Sequence, residues 1–270
     1  MTARLPDLVI VGAPKAGTTT LAHWLRNHPG VAVSRKKELE YFDRYYDRGP
    51  SWYLEQLPQD PGDRLVVEAT PTYLSEPGVA ERVARDLPEA RFVAVLREPV
   101  ARAWSNYSFF RQLGLDRRSW TRAIEQSSDA PSAQDPLGYL WRGRYAEQLA
   151  RWDGLLGPDR LLPILFDDLI ADPQGEFDRI CTFAGIGSAP LKDRESVNTT
   201  RRPRSARLQL ALAKPQAGRL RRRLYAWNAQ GRPVPALDPR DETVLRARFA
   251  ASNDALAERL GRSLPPSWSA

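Results

Sequence analysis

The chain has 270 residues, a formal net charge of +7, two histidines and one cysteine, enough length to bury a full α/β core. The lone Cys181 excludes an internal disulfide and, with only His23 and His28 beside it, argues against a His/Cys metal site. The positive excess suits an anionic ligand without requiring nucleic acid, because Lys, Arg, Asp and Glu are otherwise interspersed.

Residues 8–11 form a continuous apolar run of the kind buried on both faces of a parallel sheet. Residues 18–26 place Leu21, Trp24 and Leu25 at helical spacing. Between them, Gly12 and Gly17 free backbone N–H groups to turn toward a ligand, and the helix start adds unpaired N–H groups of its own. The expectation is a strand, an anion-binding loop and a helix. A Walker loop would need lysine directly after the second glycine, but Thr18 stands there and the lysine is Lys15, inside the loop. Later apolar runs end at Glu68 and Arg97, without the magnesium-binding aspartate of a P-loop NTPase.

Further along, residues 31–33 read as a second strand, after a turn shaped by His28; His23 reads as a packed or solvated helix residue. The charged, aromatic stretch 34–57 reads as a basic turn and then a helix that packs Trp52, Tyr53 and Leu57. A third strand over 65–68 leads into a proline turn, where Thr70 and Tyr73 are candidates to line a site outside the strand ends. A fourth strand over 91–96 precedes a helix opened by Pro99, with Val100, Trp104, Tyr107 and Phe110 near one face and Ser105 off it. Arg97, between that strand and that helix, is read as a phosphate ligand in preference to a surface partner of Glu98.

Periodicity weakens over 112–144, read as an acceptor-side insertion around Pro131 and Pro136. A helix bearing Tyr145, Leu149, Trp152 and Leu156, a fifth strand over 161–166 and a helix bearing Phe177, Ile180, Cys181 and Ala184 follow, the cysteine being a small core residue. Residues 198–236 read as a basic, proline-containing arm that includes the RLRRR cluster at 219–223. Asp238 as N-cap and Pro239 open a last helix, packed through Val244, Leu245, Phe249, Leu256 and Leu260 and ended by Gly261. The whole is expected to be one α/β domain over 1–270: three layers, with a mostly parallel sheet of about five strands between helices and a P-loop-like anion loop. No apolar run reaches the length of a membrane span and no signal peptide is visible, so a soluble cytoplasmic protein without membrane insertion is expected.

Three stretches carry a family resemblance. Pro14-Lys15-Ala16-Gly17-Thr18-Thr19 resembles the 5′-phosphosulfate loop of sulfotransferases that use 3′-phosphoadenosine 5′-phosphosulfate (PAPS), and Leu96-Arg97-Glu98-Pro99 with Ser105 resembles their 3′-phosphate element. Residues 37–43 are similar to the ExxFF(D) segment of the heparan-sulfate type, with Tyr41 where that group has Phe, and Trp52-Tyr53 resembles its WY pair. Residues 197–205 resemble the late loop over the nucleotide: Arg202 matches its arginine, Arg204 a frequent second one, and Arg201 replaces a glycine. Ala69 stands where the family often carries lysine.

The resemblance implies sulfuryl transfer from PAPS to a hydroxyl or amine of a carbohydrate or small-molecule acceptor, with 3′-phosphoadenosine 5′-phosphate (PAP) as product and no metal. It implies that Lys15 neutralises charge on the bridging oxygen, while Ala16, Gly17, Thr18 and Thr19 bind the phosphosulfate. Arg97, Ser105, Arg202 and Arg204 would hold the 3′-phosphate. Glu38 takes the position of the catalytic base, with Glu40 as its competitor. Two other readings stay open, an ATP-dependent small-molecule kinase on a variant P-loop and a non-catalytic nucleotide-binding protein. The acceptor, the oligomeric state and the role of the 219–223 cluster are not fixed by sequence.

Overall fold

Apolar runs without polar alternation become strands buried on both faces, and here they form β1 (Leu8–Gly12), β2 (Val31–Val33), β3 (Leu65–Ala69), β4 (Arg91–Leu96) and β5 (Leu161–Leu165). The computed structural model describes residues 3–191, 204–205, 208, 212, 219–229 and 236–269. Its five strands make one sheet in the order β2-β3-β1-β4-β5, and every pairing is parallel. Val9 lies opposite Glu68 on one side and Phe92 on the other, and the β1–β4 register shifts between Ile10 and Gly12.

The strand order dictates the layers. The chain steps from β1 outward through α1 (Thr18–Arg26) to β2, then from β3 past β1 through α3 (Val79–Asp86) to β4. Right-handed crossovers that run in opposite directions put their helices on opposite faces. Accordingly Trp24 of α1 meets Phe177 of α8 (Pro173–Ala184) edge to face, 6.2 Å between ring centroids. On the other face Trp152 of α6 (Tyr145–Leu156) packs on Phe92 and donates its indole N–H to the Leu74 carbonyl at 3.1 Å. The reversal of direction falls between β1 and β4, and ligands of open parallel sheets gather outside the strand ends at such a point.

The remaining helices are α2 (Gly49–Gln56), α4 (Pro99–Leu113), α5 (Trp120–Glu125), α7 (Phe166–Ala171), α9 (Arg219–Ala229) and α10 (Pro239–Leu260). Asp238 caps α10 by accepting from the Arg240 N–H at 2.9 Å, and Gly261 closes it in the left-handed conformation. Phe166 begins α7 and does not end the fifth strand. Val244 is 65% exposed, because the buried stripe of α10 runs through Leu245, Phe249, Ser252 and Leu256 and Val244 lies one residue off it. The 112–144 segment is more ordered than its weak periodicity suggests. Trp120, Ala123, Tyr139 and Leu140 form a second small core with Val100, Ala103 and Tyr107 of α4.

Candidate active site

The loop after β1 owes its path to two glycines with different duties. A Cβ on Gly12 would lie 2.5 Å from the Leu74 Cβ, so the residue must be bare to let β1 pass. Gly17 has φ 94°, and a Cβ there would also meet Phe166 at 2.8 Å. Lys15 adopts φ 70°, a left-handed backbone that costs a side-chain-bearing residue about 1–3 kcal/mol and that clusters at functional sites. Glu38 (φ 62°) and Glu40 (φ 54°) share this strain, and all three line one cleft of about 950 Å³ at the strand ends.

Lys15, Gly17, Thr18 and Thr19 line the cleft together with Arg97 and Ser105. Arg97 leaves the end of β4 and donates to the Lys15 carbonyl at 3.2 Å, which ties the two anion elements together. Glu98, the alternative partner of Arg97, instead caps α4, accepting from the Val100 and Ala101 N–H groups at 2.9 and 2.6 Å. The Lys15 ammonium lies over the Phe109 ring, 4.4 Å from its centroid, and the Arg97 guanidinium over Phe166 at 5.2 Å. Burial, then the charges of Arg97 and Lys37, hold the Lys15 pKa below its ordinary value, with Glu38 opposing. Burial also lowers Arg97. Among the described residues neither cation has a carboxylate within ion-pair distance. Such a pair of desolvated cations is arranged for an anion from outside the chain.

The glutamates are delivered by a loop pinned to β3 and the turn after it. Glu38 donates its N–H to the Ala69 carbonyl at 2.9 Å, while Tyr41 and Phe42 both donate theirs to the Tyr73 hydroxyl oxygen, at 2.9 and 3.3 Å. Thr70 and Tyr73 are therefore fully buried supports under the loop and do not line the cleft; Pro71 and Thr72 do. Beneath them the Glu68 carboxylate is fully buried and accepts from the Tyr53 hydroxyl at 2.7 Å and the Thr70 hydroxyl at 2.6 Å. Burial pushes its pKa up to about 7, against the pull of those hydrogen bonds.

The two candidate bases differ. Glu38 is half exposed and pairs with Lys37 at 2.6 Å, and its charge is felt by Lys15. Glu40 is more enclosed, pairs with Arg44 at 3.6 Å, and is raised above its ordinary value, chiefly by burial.

Ala16 is called for donor binding, yet its side chain is fully buried and its N–H bonds the Ala13 carbonyl at 3.2 Å, so it shapes the turn. Arg204 packs its guanidinium over Trp227 at 4.7 Å and is not among the residues that line the cleft. Arg202 lies outside the described residues. The sequence reading passed over Phe109, one helical turn after Ser105, and Phe166, the first residue after β5; the i, i+4 rule and the strand-end rule point to each. Glu68 carried its own signal, a lone charge within an apolar strand.

The profile of the sulfotransferase family matches residues 40–190. The chain belongs to the sulfotransferase family. Among curated relatives, human heparan sulfate glucosamine 3-O-sulfotransferase 3B1 is 29% identical over 183 residues, covering 68% of this chain and 47% of the relative. The chain thus spans about half the length of the curated relatives it matches. A crystal structure of a sulfotransferase from Alicyclobacillus acidocaldarius superposes with a TM-score of 0.76 at 23% identity, covering 98% of this chain and 99% of the other. Mouse sulfotransferase SULT7A1 complexed with PAP gives 0.51 at 16% identity, covering 96% and 85%. These likenesses establish the sulfotransferase fold, in which the loop after β1 and the end of β4 stand side by side.

Proposed function

We propose that the chain transfers the sulfuryl group of PAPS to a hydroxyl or amine of a carbohydrate or small-molecule acceptor. The observation that carries this reading is the Lys15–Arg97 pair: two half-buried cations without a carboxylate partner among the described residues, joined through the Lys15 carbonyl at a parallel-sheet switch point. Family membership and the PAP complex of the mouse relative support the choice of nucleotide.

In this reading Thr18, Thr19 and the loop N–H groups bind the phosphosulfate, while Arg97 and Ser105, with Arg202 from the late loop, hold the 3′-phosphate; Arg204, stacked on Trp227, takes no part. The acceptor oxygen attacks sulfur in line, the bond from sulfur to the bridging phosphate oxygen breaks, and PAP leaves. Lys15 neutralises the charge that grows on that oxygen, and Glu38 takes the acceptor proton. Glu38 is preferred to Glu40 because its charge couples to Lys15. Lysine and arginine side chains meet the charge, so no metal enters this scheme. The chain is proposed to act as one domain over 1–270. No described helix is long and apolar enough to cross a membrane. A reducing, cytoplasmic setting is proposed from the single, buried Cys181.

Calorimetric titration in EDTA tests the donor assignment. PAP is expected to bind much more tightly than AMP, and Arg97→Ala to cost on the order of a few kcal/mol of PAP binding. Equal affinity for PAP and AMP removes the 3′-phosphate subsite, and magnesium-dependent preference for ATP would favour the kinase reading.

A further inference from the structure

Building on the sulfotransferase reading, we infer that the acceptor is a neutral hydroxy compound with an apolar body, seated against the end of α4 and the 131–141 segment, and is not a polyanionic glycan. Three observations converge on it.

The first is the wall itself. Phe109, Phe110, Leu115, Pro131, Pro136 and Leu137 line the same cleft as Lys15. Leu115 is 64% exposed and Phe109 36% exposed, apolar surface that gains free energy only when something covers it. Phe109 is also the ring under the Lys15 ammonium, so an apolar body on this wall lies next to the point of transfer.

The second is that the wall is held in place before any ligand arrives. Arg102 of α4 is fully buried and donates to the Tyr139 carbonyl at 2.6 Å. Asn106 donates to the Leu137 carbonyl at 3.3 Å, and the Tyr139 hydroxyl donates to the buried Asp116 carboxylate at 2.9 Å. A preformed apolar surface with few polar groups is the usual form of a small-molecule site.

The third is charge. Apart from Lys15 and Arg97, the described cleft residues supply three cations, and each already has a carboxylate: Lys37 with Glu38 at 2.6 Å, Arg44 with Glu40 at 3.6 Å and Arg142 with Glu76 at 2.6 Å. Asp43 adds a fourth carboxylate to the cleft. Among the described residues that line the cleft, a sulfated or carboxylated glycan would meet no unpaired cation apart from Lys15 and Arg97, whereas a neutral alcohol needs none there.

The test uses the full chain with PAPS and two acceptors, 2-(2-naphthyl)ethanol and an N-sulfated heparan oligosaccharide, with products read by mass spectrometry and PAP affinity measured in parallel. The naphthyl alcohol should be sulfated with much the higher kcat/KM. Leu115→Asp, at an exposed position, should raise its KM by about tenfold or more, by placing a charge against the apolar body, and leave PAP affinity unchanged. Preferential use of the oligosaccharide overturns the inference. So does an unchanged KM in Leu115→Asp, or failure of both acceptors while PAP still binds. Loss of PAP binding in the unaltered protein would instead bring down the sulfotransferase reading on which the inference rests.

Discussion

The two ends of the cleft are built by different means. The proposed donor end hangs on the sheet: Lys15 to Thr19 follow β1, Arg97 follows β4, and each position is fixed by strand register and a helix start. The proposed acceptor end is assembled from segments outside the sheet, the 34–46 loop and the 112–144 insertion, held by single side chains such as Tyr73, Arg102 and Asn106. A strand end can present N–H groups and a cation to any phosphate-like group, so the donor end is general in its chemistry. The inserted segments can change without disturbing the sheet, so acceptor choice is proposed to belong there.

If this division is right, damage to the donor end should abolish both binding and chemistry, and damage to the acceptor end should separate them. The largest effect is expected from Lys15→Ala, about a thousandfold in kcat/KM, with weaker PAP binding in calorimetry. Near wild-type turnover in that variant would make the loop merely structural. Next comes Glu38→Gln, which should lower kcat by roughly a hundredfold or more while PAP affinity stays the same. The acceptor must be an alcohol, since an acidic phenol ionises unaided and conceals the loss. Glu40→Gln should slow the reaction far less, and an exchange of behaviours would make Glu40 the base. Third is Tyr73→Phe, which leaves the buried N–H groups of Tyr41 and Phe42 without their acceptor. It should cost roughly 3 kcal/mol of stability in urea and reduce kcat without weakening PAP binding, because the glutamate loop loses its peg.

The same division governs what could be read without coordinates. The placement of the proposed donor end was legible: Gly12, Gly17, Thr18 and Arg97 are local signals at strand and helix ends, with Lys15 in the loop between, while Ser105, inside α4, rests on the family resemblance. Five strands and the caps of α10 were legible for the same reason, since apolar runs and Asp238-Pro239 act over a few residues. The acceptor end was not. Nothing near Tyr73 in the chain announces that its hydroxyl will hold the backbone of Tyr41 and Phe42, over thirty positions away. The insertion reads as irregular because its buried residues, Trp120 and Tyr139 among them, pack against α4 and so show no period of their own. Ala16 was assigned to the ligand because its motif includes it, but the turn consumes its N–H.

The smallest effect expected lies under the glutamate loop and is visible only in its pH dependence. Glu68 is buried with a pKa pushed up to about 7, from an ordinary carboxyl value near 4.5. The folded protein therefore binds its proton more tightly than the unfolded chain does. The resulting stabilisation is fully present below pH 4.5 and is lost as pH rises through about 7; above that, an ionised carboxylate must be kept among Tyr53, Thr70 and Tyr73. Between pH 5 and 7 this should amount to about 2 kcal/mol of lost stability. Glu68→Gln keeps the shape and removes the titration, so urea unfolding at several pH values should show a flatter profile than wild type. Its PAP affinity should not change, because the Glu68 carboxylate bonds Tyr53 and Thr70, beneath the 34–46 loop, and no residue of the loop after β1. Parallel profiles for the two proteins would show that Glu68 is ionised throughout, with its hydroxyl partners outweighing burial. A change in PAP affinity would instead break the separation of the two ends, by showing that the support of the glutamate loop is felt at the phosphosulfate site.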